Sequence, residues 1–160
     1  MIFLSKCLAG FPCRMDGKSK GVAPLKALYE AGEAVCACPE ELGGLPTPRD
    51  PGEIREGRVI TCRGADVTEA YRRGARAALE ICRQAGCTMA VLKSKSPSCG
   101  KGVIHNGRFD GGLVPGDGVC ARLFIDEGIP VMTEEEWLGG SGCAQPPSAV
   151  NPVEGPSTGA

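Results

Sequence analysis

The segment "DVTEAYRRGARAALEICRQAGCTMAVLKS", residues 66–94, decides the fold. Its first part predicts an amphipathic helix, because apolar side chains recur there at helical spacing. The recurring positions are Val67, Tyr71, Ala75, Ala78, Leu79 and Cys82. Asp66 and Glu69 have the spacing of an N-terminal capping box, and Gly86 ends the helix. The apolar run "TMAVLKS" follows at once and predicts a buried strand, and this succession is typical of an α/β fold.

The same alternation extends along the chain in both directions. Further buried strands are predicted at residues 1–6, 34–38 and 129–133, and further helices at residues 23–31 and 117–127. Thr133 and Glu136 form a second capping box, before a short helix that carries Trp137. Short, uniformly apolar strands are expected where helices cover both faces of a parallel sheet. We therefore predict one α/β domain over residues 1–138, with helices flanking a mostly parallel, open, flavodoxin-like sheet in the strand order 2-1-3-4.

Three segments lie outside this alternation. "EIREGRVI" predicts a small β excursion that turns at Glu56–Gly57. "VIHNGRFDG" predicts a β-hairpin with its turn at Asn106–Gly107. Residues 139–160 are Gly, Ser, Pro and Ala with almost no apolar side chains, which predicts a disordered tail.

Length and charge exclude several classes of protein. The chain has 160 residues and a formal net charge of −1. It has no basic surplus for binding nucleic acid and no apolar run of the roughly 18 residues that a membrane span needs. The N-terminal run lacks the positive region that precedes a signal peptide, so it is interpreted as a strand. We predict a cytoplasmic protein with a small-molecule ligand and neither nucleic acid nor membrane as a partner. The sequence leaves its oligomeric state open.

The ten cysteines are the most unusual feature of the composition. Cytoplasmic cysteines stay reduced, which favours metal binding or catalysis over disulfides. Cys7 and Cys38 lie at the ends of the first two predicted strands, and Cys99 lies just past the third. Ligands of open α/β sheets bind beyond the carboxyl ends of the strands, so these thiols should converge at one edge. Three thiolates suit a soft metal or an iron–sulfur cluster, and a cluster of four irons would keep one iron open.

The segment "CPEELGGLPTPR", residues 38–49, leaves the second strand at Cys38. Its prolines and glycines make it too interrupted for a helix, so we predict a loop that forms one side of a pocket at the strand ends.

Four blocks of this sequence resemble a known family. "CLAGFPCRMDG", "CPEELGGLPTPR", "DVTEAY" and "LKSKSPSCGKG" are similar, in this order, to the signatures of the domain of unknown function 523 family, which includes 2-thiouracil desulfurases. The resemblance covers roughly residues 1–138. It implies that Cys7, Cys38 and Cys99 bind a 4Fe–4S cluster whose fourth iron has no protein ligand. It also implies non-redox removal of sulfur from a thiocarbonyl compound, such as a thiolated pyrimidine or another thioamide, by hydrolysis with release of hydrogen sulfide.

This chemistry suggests roles for polar residues near the three cysteines. Glu40 is the first choice for the base that activates water or for a group that holds a substrate N–H. Ser96 and Ser98 are candidates for binding the ring edge or moving a proton, with Ser98 favoured. The predicted substrate-binding residues are Asp16, Arg49 and Lys93. Asp16 and Arg49 are expected to brace the loops, as a pair.

The remaining cysteines and the single histidine have simpler interpretations. Cys82, Cys87 and Cys120 are expected to be core thiols, and Cys62 to be incidental. Cys36 could form a C-x-C chelate with Cys38, and Cys13 could be a neighbour of the cluster, although packing roles are favoured for both. His105 is placed at a hairpin tip, far from the strand ends, and is predicted to have no role in the site.

Two alternatives to a desulfurase stay open. The first is a non-catalytic module that binds a cluster or zinc and senses iron or redox state. The second is a related lyase or hydrolase that uses the same open iron on another substrate.

Overall fold

The computed structural model describes residues 1–139. In chain order the elements are β1 (Ile2–Ser5), a 3-10 turn (Lys6–Ala9), α1 (Ala23–Glu30), β2 (Ala34–Ala37), α2 (Pro39–Leu42), β3 (Gly52–Arg55), β4 (Arg58–Thr61), α3 (Thr68–Gln84), β5 (Met89–Leu92), β6 (Val103–His105), β7 (Leu113–Pro115), α4 (Val119–Asp126), β8 (Val131–Thr133) and α5 (Glu134–Gly139). Apart from Gly139, the predicted tail lies outside the described residues. No helix among residues 1–139 is long and apolar enough to cross a membrane.

The centre of the molecule is a four-stranded parallel sheet in the order β2-β1-β5-β8. This arrangement confirms both the α/β fold and the predicted order 2-1-3-4 of the main strands. Neighbouring side chains of β1 enter different cores: Phe3 packs with Phe124 of α4 and the apolar side of α3, whereas Leu4 packs with Leu25 of α1. Since helices cover both faces, each strand needs apolar side chains at every position.

The two capping predictions have different outcomes. The Thr133–Glu136 box is confirmed, because each residue's backbone N–H donates to the other's side-chain oxygen at 3.0 Å. Asp66 accepts the N–H of Thr68 at 2.9 Å, but Glu69 pairs with Arg72 instead of returning to Asp66. The second hydrogen bond of the predicted box, from the N–H of Asp66 to the carboxylate of Glu69, is wrong. Because α3 begins at Thr68, Glu69 lies one position before the N3 site that such a bond requires.

The first β excursion is confirmed. β3 and β4 pair antiparallel across a two-residue turn, in which Glu56 and Gly57 have φ values of 52° and 78°. Positive φ at both positions matches the twist of a tight hairpin.

The second excursion is a hairpin with a different turn. β6 pairs with β7, but the connection covers residues 106–112, so the tight turn predicted at Asn106–Gly107 is wrong. Contacts with β3 replace that turn. The carboxylate of Glu53 accepts the N–H groups of Gly107 and Phe109 at 2.9 and 3.1 Å, and Arg55 donates to the carbonyl of Gly107. These bonds fold the 106–112 loop back towards the carboxyl ends of the central strands.

Candidate active site

The carboxyl ends of β1, β2 and β5 open onto a cavity of about 540 Å³. Cys7, Cys38 and Cys99, which follow these three strands, all line it. Parallel strands end at the same edge of a sheet, which is why residues so distant in sequence meet here.

Local turns hold two of these cysteines in place. Cys7 lies in the 3-10 turn and is 7% exposed. Cys99 is 5% exposed, and its N–H donates to the hydroxyl of Ser96 at 3.0 Å, as does the N–H of Ser98. Burial raises the pKa of Cys99 to about 12, so the free thiol is protonated at neutral pH. A metal group bound here would displace that proton, because thiolates are the ligating form.

Cys13 adds a fourth thiol to this wall. It is 3% exposed, lies against the thiols of Cys7 and Cys38, and lines the cavity. The sulfur of Cys38 lies 3.8 Å from the carbonyl oxygen of Cys13. A side-chain hydrogen bond with the Cys13 thiol and burial together raise the pKa of Cys38. Cys36 does not line the cavity and packs with the core on the α1 side of the sheet.

Glu40 reaches the cavity from a short helix. The structure overturns the expectation that residues 38–49 are too interrupted for a helix, because α2 forms one turn over Pro39–Leu42. Proline suits the first turn of a helix, where its missing N–H would have no partner. The Glu40 side chain is 13% exposed, and its Oε1 accepts the Nε–H of Arg49 at 2.7 Å.

The side chain of Arg49 is buried, and its guanidinium donates from all three nitrogens. Besides Glu40, it binds the carbonyl oxygens of Cys13 and Pro46 and the hydroxyl of Thr47. The predicted pairing of Arg49 with Asp16 is wrong. Asp16 does not line the cavity, because its short side chain closes a local turn by accepting the N–H of Lys18 at 2.9 Å.

Family models and solved structures offer an independent comparison. Residues 2–136 match the family model described as 2-thiouracil desulfurase. The chain belongs to the 2-thiouracil desulfurase family. It is therefore a desulfurase, an enzyme that acts on carbon–sulfur bonds, as the sequence indicated.

Two relatives of this desulfurase cover most of its length. The [4Fe-4S]-dependent thiouracil desulfidase TudS has a solved structure that is 44% identical in sequence, with a TM-score of 0.83 over 89% of this chain and 95% of that chain. The uncharacterized protein YbbK of Bacillus subtilis (strain 168) is 40% identical over an alignment of 146 residues that covers 85% of this chain and 97% of YbbK.

The remaining predicted site residues of the desulfurase differ in position. Ser96 and Lys93 line the cavity, whereas Ser98 is 2% exposed and does not. The Ser98 hydroxyl lies 3.9 Å from the sulfur of Cys99. The ammonium of Lys93 binds the carbonyl of Ser94 at 3.0 Å and the carboxylate of Glu134 at 3.2 Å. Ser96 and Lys93 therefore line the cavity, and the ammonium of Lys93 already has hydrogen-bonding partners in the protein.

Three cavity residues of the desulfurase were not expected there. Tyr71 was interpreted as a core position of α3, yet it lines the cavity, where burial and the neighbouring carboxylate of Glu40 raise its pKa. Cys62, interpreted as incidental, also lines the cavity. His105 lines it as well, so its placement far from the strand ends is wrong. No local pattern in the sequence predicts that Glu53 and Arg55 of β3 bind the 106–112 loop and hold it beside the cavity.

The donor set of the desulfurase fits an iron–sulfur cluster. Cys7, Cys38 and Cys99 offer soft sulfur atoms from three separate elements, and Cys7 and Cys99 are almost wholly shielded from water. Among residues 1–139, no three histidine, cysteine or carboxylate side chains form a group that could hold a single metal ion. The three cysteines therefore suit a larger multi-iron cluster, in which each thiolate binds a different iron. The other buried thiols, Cys82 and Cys120, belong to the core between the sheet, α3 and α4, as predicted.

Proposed function

We propose that this enzyme is an iron–sulfur-dependent, non-redox hydrolase of thiolated pyrimidines. In the reaction, C=S and water give C=O and hydrogen sulfide, so every atom is accounted for and nothing is oxidised or reduced. The observation that carries the proposal is the meeting of three buried or half-buried thiols with the carboxylate of Glu40 in one cavity. Similarity to the [4Fe-4S]-dependent TudS supports the cofactor.

Cys7, Cys38 and Cys99 would hold the cluster and leave one iron without a protein ligand. The bound cluster would supply a thiophilic Lewis acid for the sulfur of the substrate. The cavity, at about 540 Å³, is in the size range of small-molecule sites, which fits a pyrimidine ring.

Glu40 is the proposed general base. Its carboxylate would take a proton from the water that attacks the thiocarbonyl carbon and return a proton to the departing sulfur. Arg49 would keep this carboxylate in position through the 2.7 Å hydrogen bond to Oε1.

Ser96 is the proposed donor to the substrate ring. Its oxygen already accepts the N–H groups of Ser98 and Cys99, so its own proton is free to donate to a pyrimidine carbonyl oxygen. Lys93, in the same wall, would add positive charge near that oxygen. Ser98 and Asp16 do not line the cavity, so neither would contact the substrate. Ser98 would affect binding only by positioning the loop that carries Cys99, and Asp16 only by holding the turn that its hydrogen bond with Lys18 closes.

The test starts from anaerobic purification and the visible spectrum. We expect a brown protein whose absorbance is lost in Cys99→Ser and kept in the matched control Cys120→Ser, since Cys120 is buried in the core outside the cavity. A colourless protein, or equal absorbance in the two variants, would contradict the cluster site.

The second measurement is sulfide and uracil release from 2-thiouracil. Glu40→Gln should lower kcat by about 10²–10⁴-fold with the spectrum unchanged, the usual contribution of a general base. Full activity in this variant would refute the role of Glu40. A coloured wild-type protein that releases no sulfide would refute the hydrolytic reaction.

We also propose a cytoplasmic location. The nine cysteines among residues 1–139 are all free thiols, which fits a reducing compartment.

A further inference from the structure

Glu53 of β3 brings a second carboxylate to the cavity besides that of Glu40. It lines the cavity and is 9% exposed. Its Oε1 accepts the N–H groups of Gly107 and Phe109 at 2.9 and 3.1 Å. Among residues 1–139, Oε2 has no hydrogen bond, and none of the ion pairs includes Glu53. One oxygen of this carboxylate therefore has no partner in the described part of the chain.

The unpartnered oxygen of Glu53 is accessible. Within residues 1–139, two side-chain nitrogen or oxygen atoms are closed off from solvent without a partner, Nδ1 of His105 and Nε1 of Trp137. Oε2 of Glu53 is not one of them, so it keeps contact with solvent. Because little of Glu53 is exposed and the residue lines the cavity, this contact lies on the cavity side. A ligand in the cavity can therefore reach Oε2.

The carboxylate of Glu53 is also held in position. β3 pairs Glu53 with Ile60 of β4, and the two hydrogen bonds to Oε1 fix the side chain against the 106–112 loop. Arg55, two residues further along β3, binds the same loop at the carbonyl of Gly107. A fixed side chain is suited to recognise a ligand, because little freedom is lost when the ligand binds.

The chemistry of the free oxygen selects the kind of group that binds it. An ionised carboxylate only accepts hydrogen bonds, and a shielded acceptor without a partner costs free energy. A thiolated pyrimidine presents ring N–H groups beside its carbonyl and thiocarbonyl groups. Ser96, on another part of the cavity wall, is the proposed donor to the carbonyl oxygen. Glu53 supplies the acceptor that the adjoining ring N–H needs.

We propose that Glu53 is a substrate-binding residue whose Oε2 accepts a ring N–H of the thiolated pyrimidine. This inference rests on the proposed function and adds a determinant of specificity to it. An alkyl group on that nitrogen removes the donor and meets the carboxylate directly. Glu53 therefore selects against pyrimidines that are substituted at the nitrogen it contacts.

Two variants of the cluster-loaded full chain test this role. In Glu53→Gln the amide oxygen can still accept the N–H groups of Gly107 and Phe109, whereas its NH₂ group places a donor where Oε2 was. Glu56→Gln is the matched control, because Glu56 lies in the turn of the same hairpin and does not line the cavity. The measurements are calorimetric Kd for uracil, 1-methyluracil and 3-methyluracil, KM and kcat for 2-thiouracil, the visible spectrum and thermal unfolding.

We expect Glu53→Gln to raise Kd for uracil and KM for 2-thiouracil about 10–100-fold, the value of a hydrogen bond to a charged group. The value of kcat should change much less, because this bond is made in the ground state and the transition state alike. Glu56→Gln should behave as the wild type, and the spectrum and the unfolding midpoint should be the same in all three proteins.

The methylated uracils test the contact on the wild-type protein itself, since each lacks one ring N–H. The wild type should bind one of them about 10–100-fold more weakly than uracil. In Glu53→Gln, uracil and that methylated uracil should bind about equally, because neither has an acceptor to meet.

Wild-type affinity for uracil in Glu53→Gln would overturn the proposal. Equal binding of all three uracils by the wild type would also overturn it, as would the same preference among them in Glu53→Gln, because another group would then read the ring N–H. Failure of the proposed function has a separate signature. The wild-type protein would then release no sulfide from 2-thiouracil, while the calorimetry would still report on Glu53.

Discussion

Among single residues, Arg49 connects the largest number of site components. Its guanidinium joins Glu40 of α2, the carbonyl of Cys13 and the 46–47 segment, and it is 6% exposed at the side chain. Buried ion pairs add little net stability when intact, but removing one partner leaves the other charge unpaired in the protein interior, which solvates charge poorly. The contribution of Arg49 to the stability of the fold therefore depends on the presence of Glu40.

We predict that Arg49→Met lowers the free energy of unfolding by about 3–5 kcal/mol, as expected for a broken buried pair. Arg49→Lys should lower it less, because lysine keeps the charge but not the planar fork of donors. Urea unfolding measures both values. The control is Arg58→Met, which removes an exposed pair with Asp66 and should change little. Equal losses in Arg49→Met and Arg58→Met would contradict this prediction.

Glu134 predicts how stability depends on pH. Burial raises the pKa of its carboxyl, but hydrogen bonds from the N–H and hydroxyl of Ser94 and the charge of Lys93 outweigh burial, so the pKa lies below its usual 4.5. A pKa that is lower in the folded state adds stability above pH 4.5, and this stability is lost as the pH falls through the folded value.

We therefore expect Glu134→Gln to unfold more easily than the wild type at pH 7, by about 2 kcal/mol, the value of a hydrogen bond to a charged group. The difference should shrink steadily in urea titrations below pH 4.5. The matched control is Glu135→Gln, because Glu135 forms an exposed pair with Lys95 and should show a small difference at every pH. A difference between Glu134→Gln and the wild type that stays constant down to pH 3 would disprove this account.

At the scale of elements, two glycines bring α2 and α3 into backbone contact. A Cβ at Gly74 would lie 1.7 Å from the carbonyl oxygen of Pro39, and one at Gly43 would lie 2.0 Å from that of Ala70. Arg73 closes the contact by donating to the carbonyl of Gly43 at 2.6 Å. The long helix thus sets the position of the short one, and with it the position of Glu40.

We predict that Gly74→Ala destabilises the fold by about 3 kcal/mol, the upper range for overpacking, although alanine is the better helix former. It should also lower kcat for 2-thiouracil, because α2 must move. Ala77→Gly on the same helix is the propensity control, with an expected loss of about 1 kcal/mol and normal kcat. Stabilisation by Gly74→Ala would mean that helix propensity, and not the contact with Pro39, governs this position.

At the scale of the whole molecule, the domain boundary is a prediction that can be tested. The family match ends at residue 136, and α5 ends at Gly139. Among the described residues, the cores on both faces of the sheet extend from Ile2 to Trp137. We therefore expect a chain that ends after Gly139 to keep the urea midpoint and the 2-thiouracil kinetics of the full chain. A lower midpoint or a lost activity would assign residues 140–160 a part in the fold or the site.

The sequence by itself determined the fold class and the edge at which Cys7, Cys38 and Cys99 meet. These features follow from local patterns, because buried strands, amphipathic helices and turns each leave a short-range signal. The Thr133–Glu136 capping box shows the same locality, since both of its partners lie within one helical turn. Parallel topology then brings the three strand ends together without further information.

Only the tertiary structure decided which other side chains face the cavity. His105 enters it because Glu53 accepts the N–H of Gly107, 54 residues further along the chain. Arg49 pairs with Glu40 because α2 forms where a loop was expected. Each of these outcomes depends on a contact between two segments that no local sequence pattern predicts. Tertiary packing therefore completes the site around the cysteines.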